Sequence, residues 1–150
     1  MKKLAAIALL LTIAAPASAE WVATASTLTW ETPPRPTADM QQLYDAMLWN
    51  YRGAPLDGLF ASAAYTKFVL TDLGGGSSKI SLELPLAVGN NWVLNLAAAP
   101  CPTANTTALR RACVDPLIKN DLMRLWRSYR AYLRDTNATC TAIVAEPPAL

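Results

Sequence analysis

The sequence predicts a two-layer α+β domain: an antiparallel β-meander covered on one face by two amphipathic helices, preceded by a leader. Three observations carry this. Residues 115–135 place apolar side chains at helical spacing, and residues 79–88 alternate apolar and polar. Clusters of Pro, Gly and Ser around 33–36, 74–78 and 100–102 punctuate the chain between such stretches.

The first nineteen residues read as a signal peptide. Lys2 and Lys3 form a positive start, 4–15 is a short apolar run, and Ala17-Ser18-Ala19 is a small-residue cleavage site. The domain is then residues 20–150, beginning at Glu20, with a frayed tail over 146–150. The expected compartment is the periplasm or the exterior. The apolar run is too short to span a bilayer, and no later segment reaches about 18 apolar residues.

Residues 21–31, rich in Thr, Val and Trp, predict a first strand that Pro33, Pro34 and Pro36 stop. A helix over 38–52 follows, with Thr37 as N-cap and Gly53 as stop. Its Met40, Leu43, Tyr44, Met47, Leu48 and Tyr51 share one face. Trp49 lies on the opposite side, near Gln42, Asp45 and Arg52. A large aromatic there is either covered by another segment, the 54–60 loop being nearest, or held as an anchor for a partner.

Residues 65–73 predict a second strand, and 74–78 a flexible glycine connection. The 79–88 stretch predicts a third, half-buried strand with Ile80, Leu82, Leu84, Leu86 and Val88 inward. Gly89-Asn90-Asn91 reads as a hairpin turn into a return strand over 92–99. Residues 103–113 have room for a short helix. The long helix then starts at 115, with Asp115 as N-cap and Pro116 at the first helical position. Ile118, Leu122, Leu125, Trp126, Tyr129, Tyr132 and Leu133 form its apolar face. Residues 140–145 read as a short final strand.

Without the leader the chain has eleven basic and eleven acidic residues. The charge is uneven: net −3 over 20–100 and net +3 over 101–150, a dipole able to orient a charged partner. Three cysteines in an oxidising compartment imply one disulfide and one spare thiol. A helix from 116 to 134 is about 28 Å long. The six residues back to Cys140 reach at most about 20 Å, which disfavours Cys113–Cys140. Cys101–Cys113 is the expected pair, with Cys101–Cys140 second.

The sequence contains no histidine, so Ser-His-Asp and Cys-His chemistry are excluded; with no Cys-x-x-Cys pair either, a zinc site is not expected. The Gly-Gly-Gly-Ser-Ser-Lys run precedes a strand and lacks the ending of a phosphate-binding loop. Glu31, Asp39, Asp45, Asp57, Asp72 and Glu83 are candidates for paired-carboxylate hydrolysis, though no spacing selects two of them. Asn105 and Asn137 head glycosylation acceptor patterns that matter only in a eukaryotic source. No cofactor or metal is expected.

Two partner-binding surfaces stand out. One is Trp49. The other is the basic stripe of Lys119, Arg127, Arg130 and Arg134 beside the apolar face of the long helix. The expectation is a small exported, non-catalytic interaction module of the inhibitor, immunity or accessory type, docking on a protein partner in the cell envelope. The alternative is an envelope-associated protein whose basic helix contacts anionic lipid or cell wall. A hydrolase ranks third, and nucleic acid is not an expected partner.

Overall fold

The computed structural model describes residues 20–51, 67–136 and 149–150. The elements in chain order are β1 (Glu20–Ala23), β2 (Thr27–Glu31), β3 (Arg35–Pro36), α1 (Thr37–Tyr51), β4 (Lys67–Gly74), β5 (Ser77–Pro85), α2 (Leu86–Ala98) and α3 (Thr107–Asp135). The α+β class holds: among the described residues an antiparallel sheet of five strands accompanies three helices.

β5 is the centre of the sheet. β4 pairs along one of its edges, from Lys67↔Glu83 to Gly74↔Ser77. β2 and then β3 pair along the other edge, and β1 lies outside β2. Between β2 and β3, buried Thr32 carries the pairing on. Its N–H donates to the Ile80 carbonyl, and its Oγ1 accepts from the Ile80 N–H, both at 2.9 Å. Pro33 and Pro34 lack an N–H, so a side chain substitutes for a ladder rung where the strand breaks.

Leu28, Trp30, Ile80, Leu82 and Leu84 share one face of the sheet and are fully buried. Phe68 and Leu70 of β4 sit on the same face and pack against this core. α1 adds Met40, Leu43, Ala46 and Met47, α2 adds Trp92, Val93 and Ala97, and α3 adds Val114, Ile118, Leu122, Leu125 and Trp126. α3 packs along both other helices. It also reaches the sheet through Trp30 and Trp21, whose indole N–H groups donate to Asp115 Oδ1 (2.7 Å) and the Arg111 carbonyl (3.2 Å).

Several expectations are corrected. The single strand over 21–31 is a hairpin, β1 and β2, because Thr24 Oγ1 accepts from the N–H groups of Ser26 and Thr27 and closes a turn. Of the consecutive meander over 65–73, 79–88 and 92–99 only the β4–β5 hairpin forms, because the third segment is helical, and the other edge of β5 is taken by β2 and β3. The return strand over 92–99 is helix α2. Its buried residues Gly89, Trp92, Val93 and Ala97 follow helical spacing, whereas a strand with Trp92, Leu94 and Leu96 inward would bury Leu94, which is 44% exposed.

The supposed hairpin turn at Gly89-Asn90-Asn91 is accordingly inside a helix. Gly89 serves close approach: a Cβ there would lie 2.9 Å from Leu28 Cβ. Pro85 ends β5 in extended conformation, and the Leu86 N–H bonds to the Ser26 carbonyl at 2.9 Å, anchoring the first turn of α2 to the β1–β2 turn. The glycine connection is the β4–β5 turn, where Gly74, Gly75 and Gly76 all take positive φ.

Asp115 is not an N-cap. α3 begins at Thr107, with Thr106 Oγ1 accepting from the Leu109 N–H, and Pro116 lies within the helix. The upstream residues Ala108, Leu109, Arg110, Arg111 and Ala112 are strong helix formers, which outweighs the one ladder bond that Pro116 removes. The Cys101–Cys113 disulfide is formed, Cα–Cα 6.5 Å, and ties the α2–α3 connection to α3. The expected strand over 140–145 and the expected spare thiol, Cys140, lie outside the described residues.

Candidate functional site

The buried arc of α1 runs from Met40 and Met47 through Leu43 to Ala46, which is wholly buried and lies about 60° round the helix from Trp49. Trp49 is half-buried and meets two tyrosines of α3: Tyr129 at 5.7 Å between ring centroids and 46° between planes, and Tyr132 at 5.1 Å and 31°. Tyr129 and Tyr132 are one helical turn apart and stack at 6.3 Å and 21°. Such separations are those of attractive aromatic packing.

The cluster opens on a cleft of about 280 Å³ lined by Asp45, Leu48, Trp49, Tyr129 and Tyr132. Leu48 is 41% exposed and Tyr132 43%, large apolar surface in contact with the opening. Gln41 Nε2 donates to Asp45 Oδ1 at 3.0 Å, fixing the carboxylate across one turn of α1. The sequence correctly set Trp49 apart from its helix's main face. The loop expected to cover it, 54–60, lies outside the described residues, and the described cover comes from α3.

In the sequence Tyr129 and Tyr132 stand only as members of the apolar face of the long helix. The signal that could have singled them out is their chemistry: two tyrosines at i, i+3 beside leucines suit a boundary, where a ring is covered and a hydroxyl remains wet. The basic stripe is distributed differently. Lys119 pairs with Asp115 at 3.1 Å, and the Arg130 guanidinium lies 5.3 Å from the Trp126 ring centroid. Arg127 and Arg134 are the exposed members.

The described candidate carboxylates are spread over four elements. Glu31 pairs with Lys79 at 3.2 Å across β2 and β5, Asp72 accepts from the Gly74 N–H in the β4–β5 turn, Asp39 and Asp45 lie on α1, and Glu83 lies on β5. Asp57 lies outside the described residues. Among the described residues no group of three or more His, Cys, Asp or Glu side chains is placed to hold a metal ion. No described helix is long and apolar enough to cross a membrane.

A second groove lies between α2 and the start of α3, lined by Asn90, Asn91, Val93, Leu94, Thr107 and Arg110. Neighbouring Arg111 donates to Asn90 Oδ1 at 3.2 Å, and this contact bridges the two helices. Compared with known proteins, the chain matches no family model, no curated protein and no solved structure.

Proposed function

We infer that this chain is a small exported, non-catalytic interaction module that docks on a protein partner in the cell envelope through the α1–α3 aromatic cleft. The observation that carries the reading is the gathering of Trp49, Tyr129 and Tyr132 from two helices beside exposed Leu48. Trp and Tyr with partial exposure are the residue types that dominate binding energy at interfaces. The signal-like leader and the Cys101–Cys113 disulfide support export into an oxidising compartment.

The test is a photo-crosslinker placed at Leu48 in the exported protein. It should capture one envelope protein, and Trp49→Ala should weaken that complex by about 2 kcal/mol or more. Capture unchanged by Trp49→Ala would remove the cleft from the interface. The second reading, contact with anionic lipid or cell wall, draws on the exposed Arg127 and Arg134. It predicts salt-sensitive sedimentation with anionic vesicles that Arg127→Glu/Arg134→Glu abolishes.

A further inference from the structure

We propose that Ala149 and Leu150 form a clasp on segment 33–36, held by the Arg35 side chain and the hydrophobic core, which opens and closes while the sheet stays folded. The inference is independent of the α1–α3 cleft.

Segment 33–36 is poor in donors. Pro33, Pro34 and Pro36 have no N–H, so a neighbouring chain meets almost no main-chain donor there. The Arg35 side chain supplies donors instead. One terminal nitrogen, Nη1, donates to the Pro34 carbonyl at 2.8 Å, and Nε donates to the Ala149 carbonyl. A guanidinium holds its donors in a fixed fork, so the bond to Pro34 aims Nε at Ala149. The next residue, Leu150, is partly buried and packs against the core. The sequence suggests a frayed end over 146–150, yet these two residues are docked. A polar contact sets the position of the chain, and an apolar side chain follows it in.

The size of this contact decides how it works. A charge-assisted hydrogen bond at an exposed site and a partly buried leucine are too little to hold a separate peptide against the cost of association. Within one chain the same groups meet at an effective concentration on the order of millimolar, so the contact closes in cis. The frame that receives it stands without it. Arg35 and Pro36 pair with Ser78 and Ser77, Thr32 is bonded twice to Ile80, and the Thr37 N–H donates to the Gly76 carbonyl at 2.8 Å. The sheet beneath rests on fully buried Leu28, Trp30, Ile80 and Leu82. Release of the clasp therefore costs far less than global unfolding and belongs to the local openings of a native protein.

The experiment follows the Leu150 methyl groups by NMR in the whole chain, with the Trp30 indole N–H and the Ile80 amide as reporters of the sheet. In the unaltered protein the Leu150 methyls should lie away from their random-coil position. Arg35→Ala should move them most of the way to it and leave both reporters in place. Leu150→Ser tests the same link from the other side: the Arg35 Nε–H should exchange with solvent at least about tenfold faster, again with both reporters unchanged. Random-coil Leu150 methyls in the unaltered protein would overturn the proposal, as would Leu150 signals indifferent to Arg35→Ala or Nε–H exchange indifferent to Leu150→Ser. Loss of the Trp30 and Ile80 signals in both variants would overturn it too, because the contact would then be part of the global fold and no separate clasp.

Discussion

The indole of Trp30 donates to Asp115 Oδ1 at 2.7 Å, joining the buried face of β2 to the interior of α3. The other carboxylate oxygen of Asp115 pairs with Lys119 at 3.1 Å. Trp30 is wholly buried, so its N–H has no recourse to water if Asp115 is lost. Asp115→Ala should therefore destabilise the fold by about 1–3 kcal/mol in urea unfolding, the cost of an unsatisfied buried donor. Asp115→Asn keeps an acceptor and should cost less. A Trp30→Phe/Asp115→Ala double variant should lose less than the sum of the single changes.

Gly89→Ala separates the helix from the hairpin that the sequence suggested. In an exposed helix this change gains about 1 kcal/mol. Here the new Cβ would meet Leu28 Cβ at 2.9 Å, and the clash should reverse the sign, giving a net loss of about 1–2 kcal/mol. Leu28→Ala removes the Cγ and Cδ2 contacts but keeps the Cβ at 2.9 Å, so in that background Gly89→Ala should still be unfavourable, by a smaller margin. Thermal unfolding of the two singles and the double decides it.

The disulfide should be detectable as a Cys101–Cys113 cross-linked peptide under non-reducing digestion. Replacing both cysteines by serine should lower stability by about 3 kcal/mol in the chain-entropy account of a loop this short. Recovery of free thiols at both positions in freshly exported protein would remove the oxidising-compartment argument.

Leu125 and Arg127 are two residues apart on α3 and should respond oppositely to truncation. Leu125 is 1% exposed, and Leu125→Ala should cost about 2–5 kcal/mol. Arg127 is exposed, and Arg127→Ala should change stability by about 0.5 kcal/mol or less. Similar losses at both sites in denaturant unfolding would contradict the packing of α3.

Export itself has a direct measurement. The proposed cleavage after Ala19 would make Glu20 the first residue, and Glu20 is paired opposite Glu31 at the outer edge of the sheet. Intact mass of the exported protein should show this start. A retained leader would contradict the export reading.

The alternation of Ile80, Leu82 and Leu84 located β5, because a strand buried on one face has a period of two. The same alternation ran on through Leu86 and Val88 into α2, where three or four residues fit either period. What distinguishes them is Val93, buried, against Leu94, exposed, a contrast that appears only once the tertiary fold exists. The cysteine pairing was legible because chain reach is local arithmetic. The cover over Trp49 was not, since nothing in a single sequence states which helix packs beside which. Asp115-Pro116 has the form of a helix start, yet the helix-forming residues ahead of it carry α3 back to Thr106.

The central position of β5 has a consequence for the order in which the protein folds. Its partner β4 precedes it across a tight glycine turn, so that hairpin closes locally and on a fast timescale. β2 must find the same strand across a long sequence separation, with Thr27 opposite Pro85, and pays a loop-closure entropy before any contact rewards it. The β4–β5 hairpin is then the natural nucleus and the β1–β2 hairpin a late addition. Substitutions in β4–β5 should slow folding, whereas substitutions in β1 should chiefly hasten unfolding.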